Sequence, residues 1–322
     1  MSLRRYLMVA AGTATDLLRQ PISLILLLGS LGFMGLIANV YYIGFGDDGR
    51  LVKNSILALI LLTGLFSSVT SASSTLAKEI RGGTALAVLA KPVSRSGFLL
   101  AKFSGLVLAL GAQVAIQLIS ALTVSRLAPS SQQESNSPEF TLYFLALLAA
   151  PMAGAAVNYF AQRHFISSSI LALAVSATGI FSLTSFMSPD GQTETFWNRT
   201  DWRMLQAGVL IWLAILVLAA GALACSTRLD TLPTLGLCLS IFVFGLMSDY
   251  LFGRAAQQGS TLANLCYSLV PNWQLFWTGD ALGAEKTIPW SYVAKTSSYA
   301  AGWVIGLLSI GVWLFQDRDL TR

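Results

Sequence analysis

Residues that could perform catalysis or bind a metal are few in this sequence, and they are not grouped. The three cysteines, Cys225, Cys238 and Cys266, form no C-x-x-C pair, and His164 is the single histidine. A zinc-type or two-histidine metal site is therefore not predicted. The sequence has no Gly-Lys pair, so it lacks the phosphate-binding G-x-x-x-x-G-K-[ST] loop, and it has no G-x-S-x-G element. We predict that the chain is not an enzyme, with no catalytic or metal-binding residue and no cofactor of its own.

Uncharged polar side chains do occur inside the apolar segments. Gln113 and Gln117 are four residues apart, so they share one helix face, and Ser120 continues that face. Such amides either line a passage or hold neighbouring helices together by hydrogen bonds. Asn158 allows the same two interpretations. Ionisable residues, which would mark a proton relay or an ion path, are almost absent from these segments away from their ends.

The composition predicts the elements that carry these residues. Of the 322 residues, 55% are hydrophobic and 11% are charged, whereas a soluble domain has about 25% charged residues. Eight apolar runs approach the length of about 20 residues that a spanning helix needs. They are Pro21–Tyr42, Asn54–Ser74, Phe98–Thr123, Phe140–Phe160, Phe165–Ser188, Met204–Cys225, Leu232–Phe252 and Ser297–Phe315. We predict an all-α, polytopic transmembrane helical bundle of about eight spans, with residues 1–322 forming a single domain.

Two local patterns refine this prediction. The fourth and fifth runs are separated only by residues 161–164, and together they are about twice a bilayer span, so we expect a tight helical hairpin. Residues 1–20 carry apolar side chains at helical spacing, with Arg4, Arg5, Asp16 and Arg19 elsewhere. This pattern is typical of an interfacial helix on the membrane surface that leads into the first span at Pro21.

The distribution of basic residues predicts the orientation. With eight spans and both termini in the cytoplasm, the cytoplasmic side holds 12 basic and 5 acidic residues, and the outer side holds 8 and 10. This is the bias expected of a multi-pass protein in a cytoplasmic membrane. The bases stand singly at the ends of apolar runs, so the net charge of +5 does not indicate a nucleic-acid partner.

Two loops are long enough to carry function. Residues 75–97 begin with charged residues, turn at Gly82-Gly83, and offer a short helix that Pro92 helps to end; Ser94 or Ser96 can cap the following span. This is either a docking element for a cytoplasmic partner or a simple positively charged surface loop. Residues 253–296 are rich in aromatic side chains, which favour the headgroup layer. Part of this outer, amphipathic segment is expected to lie along the membrane interface or, alternatively, to pack on the helix ends.

The first of these loops resembles a known family. Glu79, Gly82-Gly83-Thr84, Val88-Leu89, residues 91–95, Phe98 and Lys102 look like the coupling region of type-2 ATP-binding-cassette (ABC) exporter permeases, especially the branch described as involved in multicopper-enzyme maturation. Residues 15–19 are similar to the N-terminal elbow helix of that family. The sequence from Phe315 to Leu320 is similar to its closing F-x-x-R-D-L pattern.

The resemblance implies a function. The chain would be a permease subunit of an ATP-driven exporter in the plasma membrane, paired with an identical or related subunit and surrounded by lipid. Each permease would dock a cytoplasmic ABC ATPase, which would bind the ATP and Mg²⁺, through a short coupling helix. The positions that carry over from the family are Glu79, Arg81, Thr84, Leu89, Lys91, Pro92 and Arg95.

The sequence departs from the family in its span count, because common members have six spans and eight are predicted here. The cargo is therefore not specified. A stand-alone secondary transporter or channel is the alternative function, and it would require ionisable residues within the spans. A membrane-embedded enzyme would require clustered His, Asp, Glu or Cys residues.

Overall fold

The computed structural model describes residues 3–39, 48–81, 94–127, 138–186, 200–253, 260–283 and 286–316. These ranges are almost wholly helical and contain no strand. The helices are α1 (Leu3–Leu17), α2 (Pro21–Asn39), α3 (Asp48–Arg81), α4 (Arg95–Leu127), α5 (Pro138–Ala161), α6 (Phe165–Phe186), α7 (Arg203–Ser226), α8 (Thr231–Leu246), α9 (Thr261–Leu269), α10 (Gly279–Gly283) and α11 (Trp290–Gln316). A π-helical turn, Asp249–Gly253, follows α8, and a 3₁₀ turn, Trp273–Phe276, follows α9.

Within the described ranges, seven helices, namely α2 to α7 and α11, are long and apolar enough to cross a membrane. The structure thus shows the predicted all-α polytopic bundle, and the chain is a multi-pass membrane protein. The seventh predicted run, Leu232–Phe252, differs in detail. Its helix α8 has 16 residues, or about 24 Å, which is shorter than the ~30 Å hydrocarbon core. Only with the π-helical turn does this run approach a full crossing.

Helix α7 forms the centre of the bundle and packs against α3, α4, α8 and α11. Small residues allow this close packing. A Cβ atom on Gly64 of α3 would lie 2.2 Å from the Ile215 side chain, and one on Gly208 would lie 2.2 Å from Leu118 of α4. Spans associate in lipid mainly through such van der Waals contact, because lipid tails are as apolar as the side chains.

Helices α5 and α6 form the predicted hairpin. Three residues separate them, and Gln162 adopts a positive φ of 52° in the turn. A Cβ atom on Gly154 would lie 2.1 Å from the Ser169 hydroxyl, so the glycine is what lets the two helices approach. Most of the outer surface of this hairpin is exposed and apolar, as expected of a lipid-facing surface.

The N-terminal helix also forms as predicted. Helix α1 ends at Leu17, and α2 begins at Pro21, whose ring is compatible with the first helical position. The buried Ser23 hydroxyl donates to the Leu17 carbonyl at 2.9 Å and braces the bend between the helices. On its buried side, α1 packs mainly along the first part of α4.

Candidate functional site

Helices α3 and α4 are much longer than a bilayer crossing requires. Their 34 and 33 residues correspond to about 51 and 50 Å, against a hydrocarbon core of ~30 Å. The end of α3 at Arg81 and the start of α4 at Arg95 are joined by residues 82–94. These two helices therefore have enough length to project beyond the membrane and carry the connecting residues with them.

The positions predicted to couple to a partner fall at and between these two helix ends. Glu79 and Arg81 lie in the last turn of α3. Thr84, Leu89, Lys91 and Pro92, together with the predicted coupling helix, lie outside the described residues. Arg95 is the first residue of α4. Ser94 caps α4 as predicted, because its hydroxyl accepts a hydrogen bond from the Gly97 N–H at 3.2 Å.

Arg95 has a structural contact that the sequence did not predict. Its guanidinium donates to the Gln316 carbonyl at 2.6 Å and to the Phe315 carbonyl at 3.2 Å, at the end of α11. Arg228, after α7, donates to the Leu314 carbonyl at 3.1 Å. Two cations therefore bind the last carbonyls of α11, where the helix dipole is negative. No local sequence signal links these residues, since they lie 86 or more positions apart.

The start of α4 also meets the end of α11 through aromatic packing. The rings of Phe98 and Phe315 stack with centroids 6.2 Å apart, and both side chains are buried. The ammonium of Lys102 lies 5.5 Å from the centre of the Phe98 ring. Three residues from the two separate motifs that carry the family resemblance are thus brought together in space.

Helix α1 is fastened to the same part of α4. The Tyr6 hydroxyl donates to the Leu100 carbonyl at 3.2 Å and also hydrogen bonds to the Ser104 hydroxyl. A Cβ atom on Gly105 would lie 2.5 Å from the Ala10 carbonyl oxygen, so the helices cross almost in backbone contact. A displacement of the start of α4 would therefore be transmitted to α1 and, through residues 95 and 98, to α11.

The two glutamines of α4 bridge neighbouring spans. The Gln117 amide donates to the Ser30 hydroxyl of α2 at 2.7 Å and to the Thr63 hydroxyl of α3 at 2.9 Å. The Ser67 hydroxyl of α3 donates to the Gln113 carbonyl oxygen at 2.6 Å. The cavity beside them measures about 10 Å³, which is room for about one water molecule. In this arrangement the glutamines hold α2, α3 and α4 together.

A second polar contact joins α5 to the same group of helices. Tyr143 is buried; its hydroxyl donates to the Leu31 carbonyl of α2 at 2.8 Å and is 2.6 Å from the Ser120 hydroxyl of α4. Nearer the end of α3, the Gln20 amide donates to the Ser74 hydroxyl at 2.7 Å. Polar side chains thus meet one another across helices, as expected where water is absent.

Asn158 lies elsewhere, on the exposed end of α5. Its amide donates to the Arg163 carbonyl and so stabilises the turn between α5 and α6. It is remote in the fold from the buried glutamines and does not share a cavity with them. The sequence grouped Asn158 with the glutamines because its side chain is also an amide, but its contact is a local turn contact.

The aromatic segment after α8 packs largely against the helix ends. Trp273 and Phe276 are each 2% exposed and contact the rings of Phe242 and Tyr299. Trp290, at the start of α11, is instead 58% exposed. Of the two interpretations of residues 253–296, packing on the helix ends is the one that fits the 3₁₀ turn. Trp290 does not pack in this way, because its side chain is exposed at the protein surface.

A hydrogen-bond network fixes this segment. The Tyr267 hydroxyl donates to the Asp249 carboxylate at 2.7 Å, and the Asn272 amide donates to both, at 3.1 Å to Asp249 and 3.0 Å to Tyr267. The hydrogen bond to the Asp249 carboxylate raises the pKa of Tyr267, and burial adds to the effect. The Asn272 N–H donates to the Tyr299 hydroxyl of α11 at 2.9 Å.

An ion-pair group connects the starts of α3 and α7. Asp201 accepts from Lys53 at 2.6 Å and from the Arg203 guanidinium at 2.7 and 3.1 Å. Burial raises the pKa of Asp201, but the hydrogen bonds from Arg203 and Lys53 and their charges outweigh it, so the pKa lies below its ordinary value. Sequence patterns did not predict this triad because Lys53 lies 148 positions before Asp201.

Within the described residues, no three His, Cys, Asp or Glu side chains are grouped as a metal site would require. No family model matches the chain, and no curated protein matches it. What the fold establishes is that the chain is a multi-pass, all-α membrane protein.

Proposed function

We propose that the chain is the membrane-spanning permease subunit of an ATP-driven ABC exporter of the plasma membrane, with both termini in the cytoplasm. A separate cytoplasmic ATPase subunit binds ATP and Mg²⁺, and a second copy or a related permease completes the membrane part. The observation that carries this proposal is the ~50 Å length of α3 and α4, whose ends carry the residues that resemble the coupling region of such permeases.

The contacts around α4 support a mechanical role. A partner that pushes on residues 82–93 would move the ends of α3 and α4. Tyr6 and Gly105 bind α1 to α4, and Arg95 and Phe98 bind α11 to α4. The buried hydrogen bonds of Gln117 bind α2 and α3 to the same helix. The movement would then be shared by several spans as one unit.

The proposal is tested by isolating the tagged protein in mild detergent and identifying its partners by mass spectrometry. The expected result is a stoichiometric subunit with a G-x-x-x-x-G-K-[ST] loop, together with ATP hydrolysis by the complex. A homo-oligomer without such a subunit, from cells that also express the neighbouring genes, would refute the proposal and favour a stand-alone transporter or channel.

The docking position is tested by charge reversal. The double variant Glu79→Lys, Lys91→Glu is expected to lower the yield of bound ATPase at least tenfold, because a short charged loop suits polar contacts. Arg95 is left intact because it also binds α11. The matched control is Asp280→Lys, which reverses an exposed charge that pairs with Arg50 near the opposite end of α3. Equal ATPase yield from the double variant and the wild type would contradict docking at this loop.

A further inference from the structure

A cavity of about 310 Å³ lies between α7, α8 and α11. Helices α8 and α11 each pack against α7 but scarcely touch one another, so the space between them is unfilled. Pro271 and Trp273 close one end, and Leu314 lies at the other. The volume is in the range of small-molecule binding pockets.

The lining of this cavity is hydrocarbon with two thiols. None of the described residues that line it is charged; its wall on α7 includes Gly221 and Cys225, and Cys238 and Leu307 face it from α8 and α11. Water is disfavoured in such a space because it would find few hydrogen-bond partners. An empty cavity would forfeit the dispersion contacts of its lining. A spanning helix is surrounded by lipid, so a lipid acyl chain is the group that is available to fill this cavity.

The dimensions fit one acyl chain. On α11 the lining extends from Trp303 to Leu314, which is about 16 Å at 1.5 Å per residue. The hydrocarbon core of a bilayer is ~30 Å thick, so this distance is about the depth of one leaflet. A chain inserted between α8 and α11 would therefore run along the cavity for the length of a typical lipid tail.

A positive charge stands at the Leu314 end. The Arg228 Nε donates to the Leu314 carbonyl at 3.1 Å, which places the exposed guanidinium beside the end of the cavity. An arginine has five N–H donors in a planar fork that matches a phosphate group. Near the ends of spans, basic residues commonly contact anionic lipid headgroups.

We propose that this cavity is a binding site for an anionic phospholipid, with one acyl chain between α8 and α11 and the phosphate on Arg228. The site is built from one chain only. It does not depend on an ATPase partner, so it stands or falls separately from the exporter function.

The acyl-chain part is tested with a phosphatidylglycerol that carries a diazirine in one acyl chain. The protein is reconstituted with this probe, irradiated and mapped by mass spectrometry. Adducts are expected on cavity residues such as Cys225 and Leu307 as well as on the lipid-facing surface of α6. In Gly221→Phe the new ring enters the cavity, since only Leu307 lies within 4 Å of a Cβ atom there, at 3.8 Å. Cavity adducts should fall at least fivefold in this variant.

The matched control is Gly179→Phe, which adds the same bulk to α6 where no atom lies within 4 Å of a Cβ. It should leave the cavity adducts unchanged. The proposal would be overturned if the adducts in the wild type were confined to outer helix surfaces. It would also be overturned if Gly221→Phe and Gly179→Phe gave equal labelling of the cavity. If Gly221→Phe fails to fold, a second measurement uses the variant Cys266→Ser, in which Cys225 and Cys238 are the remaining cysteines. The rate at which N-ethylmaleimide alkylates these two thiols is measured with and without phosphatidylglycerol. Added phosphatidylglycerol should slow it at least threefold, and an unchanged rate would overturn the proposal.

The headgroup part is tested with Arg228→Gln, which removes the guanidinium and its charge but keeps an N–H donor at the position that Nε holds in arginine. Labelling of the cavity by the phosphatidylglycerol probe should fall about threefold or more, whereas a diacylglycerol probe with the same diazirine chain should label both proteins equally. Equal loss with the two probes would show that Arg228 acts only by holding α11. No loss with either would place the headgroup elsewhere; both outcomes refute the assignment of the phosphate to Arg228.

Discussion

Replacing Tyr143 by phenylalanine removes one hydroxyl from the interior of the bundle and leaves the ring in place. That hydroxyl makes two hydrogen bonds, to the Leu31 carbonyl and to Ser120, at 2.8 and 2.6 Å. Interhelical hydrogen bonds in membrane proteins contribute about 0.6 kcal/mol each on average, with ~1.7 kcal/mol as the largest values. The expected loss of unfolding free energy is therefore about 1.2 kcal/mol, or about eightfold in the unfolding equilibrium constant.

The measurement is reversible unfolding by SDS titration in mixed micelles, followed by far-UV circular dichroism. A double-mutant cycle with Ser120→Ala isolates the contact between the two side chains, and its coupling energy should be about 0.6 kcal/mol. Tyr159→Phe is the matched control. Tyr143 is 3% exposed and Tyr159 is 75% exposed on the same helix, so the control should change stability by less than about 0.3 kcal/mol.

Two results would refute this reasoning. An unchanged unfolding free energy in Tyr143→Phe would mean that the hydroxyl does not hold α5 to α2 and α4. Strict additivity in the cycle would mean that Ser120 and Tyr143 do not interact. A loss well above ~3 kcal/mol would also conflict with the structure, because two hydrogen bonds in a membrane interior do not account for it.

Two further predictions concern other contacts. Gly64→Leu should destabilise the bundle by about 1–3 kcal/mol through overpacking against Ile215, whereas Gly29→Leu, where a Cβ meets no atom within 4 Å, should be near neutral; SDS unfolding measures both. Asp201→Asn should lower the free energy of unfolding by about 2 kcal/mol at pH 7, since it weakens the charged hydrogen bonds that Asp201 accepts from its lysine and arginine partners. Because the folded pKa of Asp201 is lowered, the wild type should lose part of its stability as the pH falls from the ordinary value of 3.8 towards the folded pKa, and the variant should lack this part of the pH dependence.

Each of these has a clear contrary outcome. Equal destabilisation by the two leucine variants would show that α3 and α7 do not pack as closely as described. A wild-type protein and an Asp201→Asn variant with parallel stability profiles between pH 2 and 5 would show that the carboxylate is not held by its two bases.

The spans themselves were predictable from the sequence. The hairpin between α5 and α6 followed from a run twice the length of a crossing, and α1 followed from its apolar spacing and from Pro21. Such predictions succeed because hydrophobicity and helical period are local properties, and the membrane imposes the same length on every crossing. The end of α8 was not predictable from the sequence, because the helix stops at Leu246 within an apolar run. Just beyond it, Asp249 accepts hydrogen bonds from Tyr267 and Asn272, and no local pattern in α8 indicates these partners.

The polar residues show the limit of sequence reasoning. Gln113 and Gln117 were correctly placed on one face of α4, but whether that face lines a passage or contacts other helices depends on Ser30, Thr63 and Ser67. Those hydroxyls belong to two other spans, and no periodicity in α4 specifies which spans surround it.

The sequence by itself determined that this is a helical membrane protein with about eight apolar runs, because each run must satisfy its own backbone hydrogen bonds in lipid. Only the tertiary structure decided what those helices meet. Arg95 and Arg228 bind the end of α11, Trp273 packs inward, and a cavity remains between α8 and α11. These features arise from the relative positions of helices, which depend on how their whole surfaces fit together and on no single segment.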